Sequence, residues 1–184
     1  EKSQHENDRL AKIHLLSYHL NDCMIDIYAP PMMLSLDESI MLWLGRLIFW
    51  QYIKNKRHKY GVKFFELCTY DGLVLNVEVY SGTKFQDAEG LGQTGAVVLH
   101  LMQSYFDKGY HLFTDNWYNS VSLTEYLLQR KTYITGTLRR DRKRNPKEVI
   151  DKKLRKGEMF FQSLGDVSVT KWKDKRDVQV ISKP

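Results

Sequence analysis

Apolar residues near the start of the chain fall at Leu10, Ile13, Leu16 and Leu20, steps of three and four that predict an amphipathic helix ending before Asn21. Pro30 and Pro31 break any regular element, and residues 33–43 then run as an extended apolar stretch interrupted by Asp37 and Glu38, a strand that carries acids. Residues 62–69 and 73–80 predict two more strands joined through Tyr70, Asp71 and Gly72, with Leu73, Leu75, Val77 and Val79 on one face of the second. Together the three strands form an antiparallel meander.

A loop at residues 90–95 leads into a helix whose face is Val97, Val98, Leu101, Met102 and Tyr105 and whose stop is Gly109. Residues 110–114 make a short strand that delivers Asp115 at its end. Ser122 and Glu125 fit a capping box for a helix through Leu123, Leu127 and Leu128 to about Lys131. Residues 133–138 form another strand. Beyond them 158–162, 167–172 and 178–181 are short strands separated by Gly165 and a charge cluster at 173–177. There is no internal repeat and no low-complexity tract. The order β-β-β-α-β-α-β with a strand-rich extension predicts an α/β fold built on a mixed sheet with flanking helices.

Of the 184 residues, 42% are hydrophobic and 27% charged, which predicts a folded domain and excludes wholesale disorder. Cys23 and Cys68 alone supply neither a disulfide framework nor a four-cysteine zinc site, so a reduced, intracellular protein is expected. No secretory leader is visible, and the most apolar stretch, 40–50, is broken by Gly45 and Arg46, short of the roughly 20 apolar residues that span a bilayer. No membrane partner is expected.

The net charge of +6 is concentrated in one place. Residues 139–156 hold ten Lys/Arg against three Asp/Glu, a local +7, so the rest of the chain sums to −1. A second, acid-free cluster comprises Lys54, Lys56, Arg57, Lys59 and Lys63. Such clustering suits a polyphosphate partner such as duplex DNA, and a solvated loop is the plainer alternative. Trp50, Tyr52, Tyr60 and Trp172 lie near these clusters and either stack on bases or, the commoner fate of strand aromatics, fill the core.

Asp37, inside an apolar strand, and Asp115, at the end of a later one, are 78 positions apart. If their strands are neighbours the two carboxylates face each other and suit Mg2+ or Mn2+, the hard cations of two-metal phosphoryl transfer; the competing role is that of turn or cap former. His5, His14, His19, His58, His100 and His111 show no zinc-ligand spacing, and neither a nucleophile elbow nor a phosphate-binding glycine loop occurs.

Several motifs in order carry a family resemblance. They are Leu34-Ser-Leu-Asp37-Glu38-Ser-Ile-Met-Leu-Trp43, Gly45-Arg46, Gln51-Tyr52, Asn55-Lys-Arg-His-Lys-Tyr-Gly-Val-Lys63, Phe113-Thr-Asp115-Asn116-Trp117-Tyr118-Asn-Ser120, Gly136-Thr-Leu-Arg139 and Lys171-Trp-Lys-Asp-Lys-Arg-Asp177. From about Leu20 to Ser182 the chain resembles piggyBac transposases, most closely the domesticated group of piggyBac transposable element-derived protein 4. The resemblance implies a ribonuclease H-like catalytic domain from residue 21 to 140, a helical remnant of a preceding domain over 1–20, and a partial β-rich basic insertion domain over 141–184.

It also implies Mg2+-dependent cut-and-paste DNA transposition at TTAA targets, in the nucleus, with Asp37 and Asp115 as the first two catalytic, metal-holding aspartates. The third would lie downstream of residue 184. Asp166, Asp174 and Asp177 sit in turns of the extension and are not expected to replace it, so residues 1–184 alone are expected to be inactive while retaining DNA binding. The expected DNA contacts are Arg46, Lys56, Arg57, Lys59, Arg139, Arg140, Arg142, Lys143, Arg144, Lys152, Lys153, Arg155 and Lys156. A homodimer or a related transposase is a possible protein partner, and no small-molecule substrate is expected. The chain departs from the family pattern at Leu44, Trp50 and Lys54, where a Lys, an Arg and a Pro are usual, which suggests repurposing. A protein-interaction module without DNA function is the alternative.

Overall fold

The computed structural model of the protein describes residues 9–54 and 59–183. Strand β1 (Met33–Leu42) alternates as its pattern requires, with Leu34 and Leu36 buried while Met33, Asp37 and Met41 face outward. Beside it runs β3 (Tyr60–Thr69), antiparallel, with Leu36 opposite Leu67 and Asp37 opposite Glu66. The other edge of β3 takes the two-residue β2 (Gln51–Tyr52) at one end and β4 (Val74–Val79) at the other. The 70–72 turn between β3 and β4 needs glycine, because Gly72 adopts φ +91°.

Two helical crossovers follow. Helix α2 (Gly92–Met102) leads to β5 (His111–Thr114), which pairs parallel with β1, and α3 (Val121–Gln129) leads to β6 (Tyr133–Thr137), parallel to β5. The order β4-β3-β1-β5-β6 is the ribonuclease H-like mixed sheet that the resemblance implies. After α4 (Lys147–Asp151), a short helix the sequence pattern did not reveal, β7 (Met159–Leu164), β8 (Val167–Lys173) and β9 (Asp177–Ser182) form a meander. Strand β9 pairs antiparallel with β6, so the extension continues the same sheet.

The helices cover one face. Leu34, Leu36, Leu67, Leu112 and Ile134 from the strands meet Val97, Val98, Leu101 and Met102 of α2 and Leu123 and Leu127 of α3 in one core, each large side chain contributing about 1.5–3 kcal/mol over exposure. A second cluster, with Val149 of α4, Val167 and Val169 of β8 and Ile181 of β9, anchors the extension. The opposite face presents Ser35, Asp37, Glu66, Cys68 and Phe113 on the alternate positions of β1, β3 and β5.

Two boundaries differ from the sequence pattern, for local reasons. Helix α1 (His14–Ile27) does not end before Asn21 but runs on across residue 20. The Asn21 side chain leaves the helix to mimic a strand: its Nδ2 donates to the Val77 carbonyl and its Oδ1 accepts from the Val77 N–H, both at 3.0 Å, which satisfies part of the outer edge of β4. Of the stripe Leu10, Ile13, Leu16 and Leu20, Leu10 precedes the helix and is buried with Phe49, Val62 and Val79, while the other three stay exposed and Met24, Ile25 and Tyr28 at the helix end touch the core instead. Helix α3 is capped by Ser120, whose hydroxyl accepts from the Leu123 N–H, so the capping box at Ser122 is displaced by two residues; Ser122 and Glu125 both receive Arg144. No described helix is long and apolar enough to cross a membrane.

The Asn21 bridge generates a prediction. Asn21→Ala should cost about 1–2 kcal/mol in urea unfolding, with faster hydrogen exchange over α1 and at Val77; an unchanged midpoint and unchanged exchange would show that the bridge holds nothing.

Candidate metal centre and nucleic-acid interface

The parallel register of β1 and β5 ends with Leu36 opposite Thr114. One position further on each chain stand Asp37 and Asp115, both exposed and both on the face away from the helices. Neighbouring strands lie about 4.8 Å apart, so the two carboxylates are within reach of a common cation. Backbone donors orient one oxygen of each: the Glu38 N–H donates to Asp37 Oδ1 and the Trp117 N–H to Asp115 Oδ1, both at 2.8 Å.

Asn119 pins the turn that carries Asp115. Fully buried, it donates through Nδ2 to the carbonyls of Asp115 at 3.0 Å and Thr137 at 2.8 Å, and its Oδ1 accepts from the Thr114 hydroxyl at 2.6 Å. This clamp joins the ends of β5 and β6, and it requires Gly136, where any Cβ would strike the Thr114 carbonyl and the Asn119 amide. From the other side Arg142, half-buried, donates through Nη2 to the Trp117 carbonyl. Burial and then Arg139 pull Arg142 below its ordinary guanidinium value, and Asp141 and Asp115 oppose that shift.

Negative charge gathers around this corner. Tyr118 is fully buried with its hydroxyl donating to Glu38 Oε2 at 3.4 Å; burial first, and then Glu38, Asp37 and Asp115, push its phenol far above the usual range, so it remains a donor. Glu66, opposite Asp37, accepts from the Ser39 hydroxyl at 2.8 Å. Burial, then Glu66 and Asp37, push the Cys68 thiol up. Trp117 stacks on Phe65 at 5.8 Å, and the Lys63 ammonium lies over both rings.

The two aspartates fit a hard divalent cation as far as donor chemistry goes. Among the described residues no three His, Cys, Asp or Glu side chains gather into a metal-holding group, so remaining positions would fall to water or phosphate oxygens. Asp177 is engaged by Lys171 and Lys173.

The basic segment is partly neutralised from within. Arg139 pairs with Asp141 at 2.7 Å, Arg140 with Asp151 at 3.1 Å, and Arg144 with Glu125 at 2.5 Å and 2.9 Å. Residues 139–145 with Lys147, Ile150 and Asp151 line an open depression of about 780 Å3. Lys152 lies over the Phe160 ring at 5.0 Å, and Lys143, Lys153, Arg155 and Lys156 are exposed, as are Arg46 and Lys59. Lys56 and Arg57 lie outside the described residues. Trp50, Tyr52, Tyr60 and Trp172 prove to be surface residues and not core: β2 and Tyr60 sit at the sheet edge with no layer over them among the described residues, and Trp172 lies on an uncovered position of β8. Sequence reasoning passed over Asn119, Tyr118 and Gly136, although all three fall inside the motifs that carry the family resemblance.

Residues 1–183 match the family described as Transposase IS4, so the chain belongs to that transposase family, in its piggyBac group. It is 27% identical over 188 residues to the human piggyBac transposable element-derived protein 2, covering 96% of this chain and 31% of that protein. To the human piggyBac transposable element-derived protein 3 it is 26% identical over 186 residues, covering 95% and 31%. The fold matches a cryo-EM structure of a piggyBac transposase synaptic complex with hairpin DNA at TM-score 0.87 and 27% identity, over 96% of this chain and 38% of that one. The chain thus spans under a third of the length of these curated relatives.

The charge around Cys68 generates a prediction. Asp37→Asn removes one of the carboxylates that, after burial and Glu66, raise its pKa, so alkylation of Cys68 by iodoacetamide near neutral pH should accelerate, with Cys23 as internal reference. An unchanged rate would mean that the Asp37 carboxylate does not act on the thiol.

Proposed function

We propose that this chain is a transposase-derived core that holds a divalent cation, Mg2+ or Mn2+, on Asp37 and Asp115 and binds duplex DNA along its basic segment. The observation that carries the proposal is the β1–β5 register, which sets two carboxylates from distant parts of the sequence side by side beyond the last paired residues. A bound divalent cation supplies charge neutralisation at a phosphodiester and activation of its nucleophile. The chain's own residues prepare that chemistry. Asp37 and Asp115 offer the oxygens, the Trp117 N–H and the Asn119 clamp orient Asp115, and Tyr118 donates to Glu38 beside them.

The reaction class is cut-and-paste DNA transposition, in keeping with the family and with a solved relative described as a complex with hairpin DNA. Strand transfer needs a third carboxylate, which the resemblance puts downstream of residue 184, so residues 1–184 by themselves bind DNA without cutting it. Phosphates meet Arg46, Lys59, Lys143, Lys152, Lys153, Arg155 and Lys156, and compete with Asp141, Asp151 and Glu125 for Arg139, Arg140 and Arg144. The nucleus is where such a domesticated element meets its DNA, alone, as a homodimer or with a related transposase.

Two measurements test this. Mn2+ titration by calorimetry should show binding that Asp115→Asn abolishes while leaving the melting temperature within a few degrees; equal binding by the variant would remove Asp115 from the site. Replacing Lys152, Lys153, Arg155 and Lys156 together by Gln should weaken binding to any duplex and flatten the plot of log affinity against log salt by about 0.9 for each phosphate that the variant no longer neutralises. An unaltered slope would move the interface elsewhere.

A further inference from the structure

Three aromatic rings stack on one another at the edge of the sheet and remain open to water. Trp50 and Tyr60 lie nearly parallel, centroids 4.8 Å apart and planes at 13°, and Tyr52 leans on Tyr60 at 4.8 Å and 43°. Their exposures are 39%, 51% and 43% for Trp50, Tyr52 and Tyr60, so none is a core residue. The stack is held by backbone structure: Tyr52 pairs with Tyr60 in the β2–β3 ladder, the Ile53 N–H donates to the Lys59 carbonyl at 2.8 Å, and Trp50 Nε1 donates to the Trp43 carbonyl at 3.3 Å.

The charge of the surrounding chain selects among possible occupants. From Ser39 through Phe65 the sequence contains no Asp or Glu and carries Arg46, Lys54, Lys56, Arg57, Lys59 and Lys63. Lys54 and Lys59 flank the stack and are exposed. Water-facing aromatic rings on a stretch that carries cations and no acid match a ligand that is at once polyanionic and rich in π-faces. Paired bases in a duplex offer no faces to such rings. Unpaired ones do.

We propose that Trp50, Tyr52 and Tyr60 form a stacking platform for unpaired bases of single-stranded DNA, with Lys54 and Lys59 as its phosphate contacts. The inference rests on the DNA-binding function proposed above and names the form of DNA and the surface that takes it. The platform lies on the strand that pairs with the carboxylate strand: Tyr60 stands six residues before Glu66, the partner of Asp37, about 20 Å along β3 at about 3.3 Å per residue. That separation is within the span of a single-strand groove of about 4–16 nucleotides, so one strand can reach both places.

Fluorescence anisotropy with a labelled oligo-dT of about 12 nucleotides, beside a duplex of equal length, tests the platform. The wild-type chain should bind oligo-dT with quenching of tryptophan emission. The double variant Trp50→Ala, Tyr60→Ala should lose about 10- to 100-fold of that affinity with duplex binding unchanged, and Trp50→Phe, Tyr60→Phe should stay within about threefold of wild type, since its rings still stack. Retained oligo-dT binding by the Ala variant overturns the proposal. So does loss in the Phe variant with intact circular dichroism, or tighter binding of oligo-rU than oligo-dT. Leu44 and Ile48, 85% and 82% exposed, adjoin the stack, so concentration-dependent self-association that the Ala variant abolishes, without oligo-dT binding, would assign the surface to a second copy and overturn the proposal as well. Absent duplex binding in the wild type would strike the DNA-binding function itself, whereas duplex binding with stack-independent oligo-dT binding would strike this inference alone.

Discussion

The candidate metal centre depends on the parallel pairing of β1 with β5. The two strands are separated by a hairpin, a helix and some seventy residues, and only their register brings Asp37 next to Asp115. That register is set by burial: Leu34 and Leu36 on β1 and Leu112 on β5 are almost fully buried under α2 and α3, and a slip of either strand by one residue would turn its leucines to water and its acid inward. The apolar face of the sheet therefore aims the polar one. Asn119 and Gly136 complete the aim at the strand ends, where ladder hydrogen bonds stop and a side-chain amide takes over their role.

The basic segment illustrates a second constraint, that concentrated charge of one sign must be managed in the absence of its ligand. Arg139, Arg140 and Arg144 each rest on an exposed or half-exposed carboxylate, and such pairs contribute only about 0–1 kcal/mol. They are weak enough for a phosphate to displace. Lys171 differs. Buried in β8, it donates to the carbonyls of Ile150 at 2.8 Å and Lys152 at 2.7 Å and pairs with Asp177, so it fastens the end of the segment to the meander and is a structural cation.

Much of this is legible in the sequence, for identifiable reasons. Alternation in β1 and β3 and the three- and four-residue steps in α2 and α3 are strong because each of these elements has one face in the main core; in β4, whose pairing with β3 shifts register at Leu67/Cys68, the stripe splits, and Leu75 joins the main core while Val79 packs with Leu10, Phe49 and Val62. Helix α1 departs from its pattern because its periodic stripe is not its buried face; periodicity cannot tell which apolar side finds a partner. The position of Asp115 at a strand end is evident, but its neighbour across the sheet follows only from topology. Asn119 and Tyr118 escape because a buried polar clamp leaves no pattern in spacing, and the sequence leaves Trp50, Tyr52 and Tyr60 open between stacking and core because aromatics at strand spacing are normally core. Four arginines that add to the surface charge in the sequence have internal partners in the fold, which composition cannot show.

The same face that serves as a candidate site sets like charges on neighbouring strands. Glu66 lies directly across from Asp37 on β3, and Asp115 follows the end of β5 on the other side of β1. Like charges opposite each other destabilise a sheet, and here hydrogen bonds from Ser39, the Glu38 N–H and the Trp117 N–H offset part of that repulsion. What holds the acids together is the opposite face, where Leu36 and Leu67 pair across the same two strands and are fully or almost fully buried. A sheet that packs well on one side can carry acids on the other. The acids and the leucine core beneath them thus form one device, in which packing supplies the stability that the site consumes.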